Sequence, residues 1–134
     1  MEFKLIAQED SMGCAIACVA GLLGISYEDA LKIFGLGEAP SCGIYCRNIT
    51  SKLKNKGLNY SYGKVINKTK KYLNVSGTIV FIRRSEEYPY GHYLLRTEEG
   101  WMDPWINTPK INPAKAGIRK DLPGEAQWII YKKE

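Results

Sequence analysis

Cys14 and His92 are the two residues of this chain whose side chains could together perform nucleophilic chemistry at neutral pH. Cys14 follows Gly13 at the start of a run of small and apolar residues, which predicts that its thiol lies at the N-terminus of a buried helix. The unpaired amides of such a terminus favour a thiolate, the reactive form of cysteine. His92 is the only histidine, so any proton transfer by an imidazole must use it. The pair predicts attack by Cys14 on an amide or peptide bond, with His92 as the base.

Asp103 and Gln8 could complete a hydrolytic site around this pair. A tight turn at residues 98–100 predicts a hairpin that brings Asp103 close to His92 on the neighbouring strand. A carboxylate in that place could accept the second ring N–H and stabilise the imidazolium. Gln8 stands six residues before Cys14, and its amide together with the backbone N–H of Cys14 could form an oxyanion hole.

Each of these residues also has a purely structural interpretation. Small buried cysteines are common in apolar helices, and Cys18, one turn deeper than Cys14, keeps that interpretation. A single histidine in a strand often only packs, and an aspartate ahead of a proline often ends a strand. The combination of four groups with complementary roles favours the enzyme.

Two other functions fit part of the pattern. Cys14/Cys18 and Cys42/Cys46 form two Cys-x-x-x-Cys pairs, each of which could present two sulfurs to zinc on one helical face. Structural zinc usually uses Cys-x-x-Cys spacing, and this site would leave the other three groups unexplained, so we expect neither a metal nor another cofactor. The second is a peptide-binding module that has the fold of such an enzyme but no catalytic activity, and it would need none of the four groups.

The segment from Gln8 to Cys18, Gln-Glu-Asp-Ser-Met-Gly-Cys-Ala-Ile-Ala-Cys, resembles the opening of the bacteriocin-processing, double-glycine leader peptidases of the papain-like clan. Gly91-His92-Tyr93 and Asp103-Pro104 are similar to the His block and the Asp-Pro block of that family, in the same chain order. The resemblance implies a papain-like fold and a peptide or protein substrate, with water or an amine resolving the acyl-enzyme. It assigns Cys14 as nucleophile, His92 as base, Asp103 as the residue that orients the base, and Gln8 to the oxyanion hole.

Three helices are predicted in the first half of the chain to position these groups. Their expected extents, with the residues that cap them, are 14–24, 26–35 and 41 or 42 to 57. Ser26 is the expected N-cap of the second helix.

From position 58 onwards, β-branched and aromatic residues alternate with polar ones, which is typical of strands. The predicted strands span residues 58–65, 78–84, 92–97, 100–104 and 127–131, and a short helix is expected at 68–73. Helices first and strands afterwards indicate a single α+β domain over residues 1–134, with N-terminal helices packed on a C-terminal antiparallel sheet.

Aromatic residues close to the four groups are candidates for binding the substrate. In a papain-like site the groove lies between the helical half and the sheet half, so we expect Tyr45 on one side and Tyr90 and Trp105 on the other to contact an extended peptide. Further candidates for the walls are Gly37, Pro40 and Tyr88.

Composition indicates a globular protein in a reducing compartment. Apolar residues make up 45% of the 134 and charged residues 25%, which excludes a disordered chain. The net charge of +5 is spread over many lysines without an aromatic-interleaved basic motif, so we expect no nucleic acid as partner. We also expect a cytoplasmic protein with free thiols and no membrane insertion, because no apolar run approaches roughly 18 residues and the start lacks a signal-peptide pattern. The sequence does not indicate whether the chain is a monomer or an oligomer.

Overall fold

The computed structural model describes residues 3–35, 44–110 and 113–133. Within these ranges three α-helices come first and six strands follow, with a short 3₁₀ helix (Lys70–Asn74) after the first strand. The helices are α1 (Cys14–Leu23), α2 (Tyr27–Ile33) and α3 (Cys46–Asn55). The strands are β1 (Tyr60–Lys64), β2 (Ile79–Ile82), β3 (His92–Arg96), β4 (Trp101–Asp103), β5 (Gly117–Arg119) and β6 (Ala126–Lys132).

Helix α1 is buried along almost its whole length and packs on β3. Its small residues allow this close approach: a Cβ added at Gly21 would lie 2.8 Å from the carbonyl oxygen of Lys4 and 3.1 Å from the side chain of Leu95. Gly24, with φ at 69°, ends the helix in the left-handed conformation. Packing on β3 therefore fixes α1 against the strand that begins at His92.

Helix α2 packs on α1, and α3 packs on β1 and β6. Ser26 caps α2 as predicted, since its hydroxyl accepts a hydrogen bond from the backbone N–H of Asp29 at 3.0 Å. Helix α3 begins at Cys46, later than predicted, and the preceding Ile44 and Tyr45 are not helical. The hydroxyl of Tyr93 in β3 donates to the carbonyl oxygen of Ile44 at 2.7 Å, which holds the chain extended there. The positions first considered as its start, 41 and 42, lie outside the described residues.

All strand pairs of the sheet are antiparallel, in the order β1-β6-β2-β3-β4-β5. The last strand of the chain therefore lies between the first two. Side chains alternate between the two faces of the sheet, so each face buries its own apolar set. Ile79, Leu95, Met102 and Ile130 pack against the helices, and Val80, Leu94 and Trp101 form a core on the other face.

The predicted α+β arrangement of N-terminal helices on a C-terminal antiparallel sheet is confirmed. The predicted strands are present with trimmed or shifted ends, and the turn at residues 98–100 joins β3 to β4 as a hairpin. The short helix is a 3₁₀ helix that begins at Lys70 and ends at Asn74, slightly later than the predicted 68–73. Strand β5 was not predicted, because its three residues are too few to show alternation.

No single helix in the described part of the chain is long and apolar enough to cross a membrane. Helices α1 and α2 reach that length and composition only when they are taken together across a bend of 103°.

Candidate active site

His92 opens β3 and Asp103 closes β4, and the hairpin brings the two side chains into contact. Arg96 is paired with Trp101, and the two-residue period of both strands puts His92 and Asp103 on the same face. The imidazole Nε2 lies 2.7 Å from the carboxylate Oδ1. The side chains are 2% and 0% exposed, so the pair is shielded from solvent almost completely.

Cys14 is the first residue of α1 and is only partly buried. Its thiol lies close enough to the imidazole of His92 to raise the pKa of that ring. Because Asp103 occupies Nε2, the ring nitrogen left for Cys14 is Nδ1. No side chain among the described residues caps α1, so the N–H groups of its first turn remain directed towards negative charge at this end. The structure thus brings Cys14, His92 and Asp103 together in one site.

The carboxylate of Asp103 accepts four hydrogen bonds. Oδ1 accepts from His92 and from the backbone N–H of Trp105 at 2.9 Å. Oδ2 accepts from Nε of Arg119 at 2.7 Å and from the hydroxyl of Tyr88 at 3.2 Å. Burial by itself would raise the pKa of Asp103, but the bonds from His92, Arg119 and Trp105 outweigh it and hold this pKa well below its ordinary value.

The neighbours of His92 favour its protonated form. Burial alone would lower its pKa, but the hydrogen bond with Asp103 and the interaction with Cys14 outweigh burial and raise the pKa of His92 to about 9. The ring of Tyr88 stacks on the imidazole with a centroid distance of 4.3 Å and an interplanar angle of 9°. The histidine is therefore fixed on one face by an aromatic ring and at its edge by a carboxylate.

Gln8 is buried beside the end of β4, where its backbone N–H donates to the carbonyl oxygen of Pro104 at 3.0 Å. Its side-chain Nε2 donates to two loop carbonyls, that of Asp10 at 2.8 Å and that of Ser11 at 3.3 Å. Its Oε1 is buried without a hydrogen-bond partner among the described residues. The backbone bond to Pro104 keeps Gln8 near Asp103, and its amide nitrogen is already engaged by two loop carbonyls.

The loop between Gln8 and Cys14 is organised by Asp10. The Asp10 carbonyl also accepts the backbone N–H of Gly13 at 3.0 Å, and its carboxylate accepts the hydroxyl of Tyr27 at 2.9 Å. Gly13 is the residue directly before the nucleophile candidate, and a Cβ there would overlap the Tyr27 hydroxyl. Only glycine fits at position 13 while Tyr27 holds the loop.

The predicted substrate-binding aromatics differ in exposure. Tyr45 and Tyr90 are 72% and 68% exposed, next to α3 and next to His92 respectively. Trp105 is partly buried, and its indole N–H donates to the carbonyl oxygen of Lys110 at 2.6 Å. Tyr88 is buried, so assigning it to a groove wall was wrong. Two further wall candidates, Gly37 and Pro40, lie outside the described residues.

The cysteines do not assemble into a metal site in the described ranges, where no group of three or more His, Cys, Asp or Glu could hold a metal. Cys42 lies outside these ranges. Cys18 is fully buried, and burial, with the nearby charges of Cys14 and Asp103, raises its pKa well above the ordinary value. Cys46, at the start of α3, lies 3.5 Å from the hydroxyl of Tyr93, and burial raises its pKa.

The sequence did not predict that Arg119 and Tyr88 contact Asp103. Arg119 lies in β5, directly opposite Trp101 in β4, and this register directs it to the face that carries Asp103. A short Gly-Ile-Arg segment carries no pattern that singles out its arginine. Tyr88 was predicted only as a wall of the substrate groove. Its burial goes with a turn in which the hydroxyl of Ser85 accepts a hydrogen bond from its backbone N–H.

Comparison with known proteins gives a structural match. No family model matches the chain, and no curated protein matches it. The fold is similar to the crystal structure of the peptidase domain of Streptococcus ComA, a bi-functional ABC transporter involved in a quorum-sensing pathway. The TM-score is 0.61, the sequence identity is 17%, and 97% of each chain is covered. The chain therefore has a peptidase-like α+β fold, which confirms the fold that the sequence resemblance implied.

Proposed function

We propose that this chain is a cysteine peptidase that cleaves an amide bond of a peptide or protein through an acyl-enzyme. Cys14 is the nucleophile, His92 the base, Asp103 the orienting carboxylate and Gln8 an oxyanion donor. The observation that supports this best is the buried 2.7 Å bond between His92 and Asp103, on an imidazole whose pKa is also raised by the nearby Cys14.

In the first half of the reaction, the Cys14 thiolate attacks the carbonyl carbon of the scissile amide, and the carbonyl π electrons move to oxygen. The backbone N–H of Cys14 and the amide of Gln8 stabilise that oxyanion. As the carbon–nitrogen bond breaks, the imidazolium of His92 gives its Nδ1 proton to the leaving amine. The product is a thioester on Cys14 and a free amino terminus.

In the second half, neutral His92 takes a proton from water, and the hydroxide attacks the thioester. The carbon–sulfur bond breaks, the acid product leaves, and the Cys14 thiolate and the imidazolium are restored. Asp103 keeps its charge throughout and maintains the ring orientation in both steps. An amine in place of water would give acyl transfer by the same steps.

The substrate proposal rests on the exposed aromatic residues. Tyr90 lies two residues before His92, and Tyr45 belongs to the segment that is bound to β3 through Ile44 and Tyr93. Both rings can cover an extended peptide without losing packing of their own, because both are largely exposed. Trp105 offers the exposed part of its indole on the Asp103 side. A free thiol nucleophile also fits a reducing, cytoplasmic setting.

The proposal is tested with a library of proteome-derived peptides, digested separately by the wild type and by Cys14→Ser, with new termini identified by mass spectrometry. The wild type should produce new termini, and the serine variant should produce none. The matched control is Cys46→Ser, which replaces a thiol at the start of a different helix and should cleave like the wild type.

The same digest addresses the silent peptide-binding module. If the wild type retains peptides from the library but cleaves none, the module replaces the enzyme. If Cys14→Ser cleaves as fast as the wild type, Cys14 is not the nucleophile.

A further inference from the structure

The carboxylate of Asp103 carries two cations on different oxygens. His92 takes Oδ1, and Arg119 donates from Nε to Oδ2 at 2.7 Å. Arg119 is itself part-buried, with 27% of its side chain exposed, while the carboxylate is 0% exposed. One positive charge would be enough to compensate the buried carboxylate of Asp103, and His92 already supplies it. The presence of Arg119 as a second cation is therefore not explained by burial alone.

We propose that Arg119 is a positioning residue of the triad, which acts through Asp103 to set how strongly His92 holds its proton. This inference rests on the proposed function, because it assigns a role in the same reaction. Nothing in the four-residue site requires Arg119, and it does not touch Cys14 or the imidazole in the described contacts.

The register of the sheet fixes this arrangement. Strand β5 pairs with β4 so that Arg119 stands opposite Trp101, two residues from Asp103 on the same face. The terminal NH2 group of Arg119 also lies 3.5 Å from the hydroxyl of Tyr88. The guanidinium thus bridges the carboxylate and the ring that stacks on His92.

Titratable and charged groups from several elements surround the imidazole of His92. Cys14 faces it from α1, Asp103 from β4 and Tyr88 from the turn before β3, and Arg119 stands behind Asp103 on β5. Cys18 lies further along α1, close enough to Cys14 and Asp103 to interact with their charges. With a thiolate and a carboxylate both attracting its proton, His92 would release that proton reluctantly.

Arg119 counteracts this attraction. Its permanent positive charge neutralises part of the Asp103 charge and repels the imidazolium through the same carboxylate. It also keeps Asp103 ionised, so the orienting bond persists at low pH. The imidazolium proton therefore stays available to the leaving amine, which is what the first half of the reaction requires.

The test is an NMR titration of the imidazole, which is unambiguous because His92 is the only histidine in the chain. It is run on the full chain as wild type, Arg119→Gln, Arg119→Lys and Arg119→Met. The control is Arg83→Gln, which breaks an exposed 3.0 Å pair with Glu125 elsewhere on the sheet. The alkylation rate of Cys14 by iodoacetamide is followed over the same pH range.

Arg119→Gln should raise the pKa of His92 by about one. The effect is moderate because the guanidinium interacts with the imidazole only through Asp103 and its charge is partly screened. Arg119→Lys should keep the pKa of His92 within a few tenths of the wild-type value, since it keeps the positive charge. Arg83→Gln should leave it unchanged. Arg119→Met keeps the apolar stem and should match Arg119→Gln, so it decides the matter if the glutamine variant does not fold.

An unchanged His92 titration in Arg119→Gln or Arg119→Met, with only a lower free energy of unfolding, overturns the inference and leaves Arg119 a structural residue. This outcome differs from failure of the proposed function. That failure would appear as a Cys14 alkylation rate that is the same in the wild type and in His92→Ala, whatever the Arg119 variants do to the His92 titration.

Discussion

The Nε2 atom of His92 and the Oδ1 atom of Asp103 are 2.7 Å apart, in a pair that is almost fully removed from solvent. The hairpin between β3 and β4 holds both residues on one face, so neither side chain has to be ordered at the moment of reaction. A buried pair of this kind is costly to break from the Asp103 side, because a protonated His92 without Asp103 would be a buried charge without a carboxylate partner.

The stability of the protein should depend on the titration of His92. Its pKa is raised to about 9 in the folded state from 6.5. A raised pKa means that the pair stabilises the fold fully below pH 6.5 and loses that contribution as the pH rises through about 9. The wild type should lose up to about 3 kcal/mol in free energy of unfolding over this window.

Urea denaturation of the wild type and of His92→Gln between pH 6 and 10 measures this difference. Glutamine can still donate to Asp103 but does not titrate. Parallel pH profiles for the two proteins would contradict the prediction.

Asp103→Asn should reduce turnover without removing the base. An asparagine amide fills the same space but can hold the imidazole in the wrong tautomer and does not stabilise the imidazolium, a defect that lowers turnover by up to about 10⁴ in a well-studied triad. We expect the variant to alkylate Cys14 faster than His92→Ala does, because the imidazole is still present. A variant that alkylates as slowly as His92→Ala would show that orientation by Asp103 is indispensable for the nucleophile.

Gln8→Ala should lower turnover by roughly a hundredfold or more, since an oxyanion donor acts when charge develops on the substrate. Cys14 alkylation should fall far less, because alkylation forms no oxyanion. Some loss is expected, since Nε2 of Gln8 also holds the carbonyls of Asp10 and Ser11. Ser11→Ala, which changes an exposed side chain of the same loop, should leave both rates unchanged. Equal losses of turnover and alkylation in Gln8→Ala would make its role one of loop structure.

Gly13 and Tyr27 should be energetically coupled. Gly13→Ala alone should cost about 1–3 kcal/mol of stability, because its Cβ would overlap the Tyr27 hydroxyl. Tyr27→Phe alone loses the 2.9 Å bond to Asp10, worth about 1 kcal/mol. In the double variant the overlap is relieved, so the combined cost should be smaller than the sum of the two. Costs that add would show that the loop relaxes without contact between these residues.

The parts of the site that the sequence could predict are those fixed by local pattern. The small apolar run after Gly13 is long enough to indicate a helix that begins at Cys14, and the turn at 98–100 determines the register of β3 and β4. A single histidine left no choice of base. These three signals suffice to bring Cys14, His92 and Asp103 together.

The parts that could not be predicted depend on contacts between distant segments. The late start of α3 follows from the bond between Tyr93 and Ile44, which are 49 positions apart. Arg119 reaches Asp103 through a strand of three residues that has no periodicity of its own. The engagement of the Gln8 amide with loop carbonyls depends on the fold of residues 8–14, which the residue types alone do not specify.

Cys14 and Cys46 offer an internal comparison that shows whether His92 activates Cys14. Each is the first residue of a ten-residue helix without a side-chain cap, and of the two only Cys14 has the imidazole as a partner. Any excess reactivity of Cys14 over Cys46 that disappears with His92 is therefore due to the imidazole rather than to the helix terminus.

The most direct measurement is limited iodoacetamide labelling at neutral pH, with peptide mapping, of the folded wild type and of His92→Ala. Cys14 should be the most rapidly alkylated thiol in the wild type, and His92→Ala should slow Cys14 by at least about tenfold while leaving Cys46 unchanged. Wild-type labelling of Cys14 that persists in His92→Ala, or labelling of Cys46 ahead of Cys14 in the wild type, would contradict it.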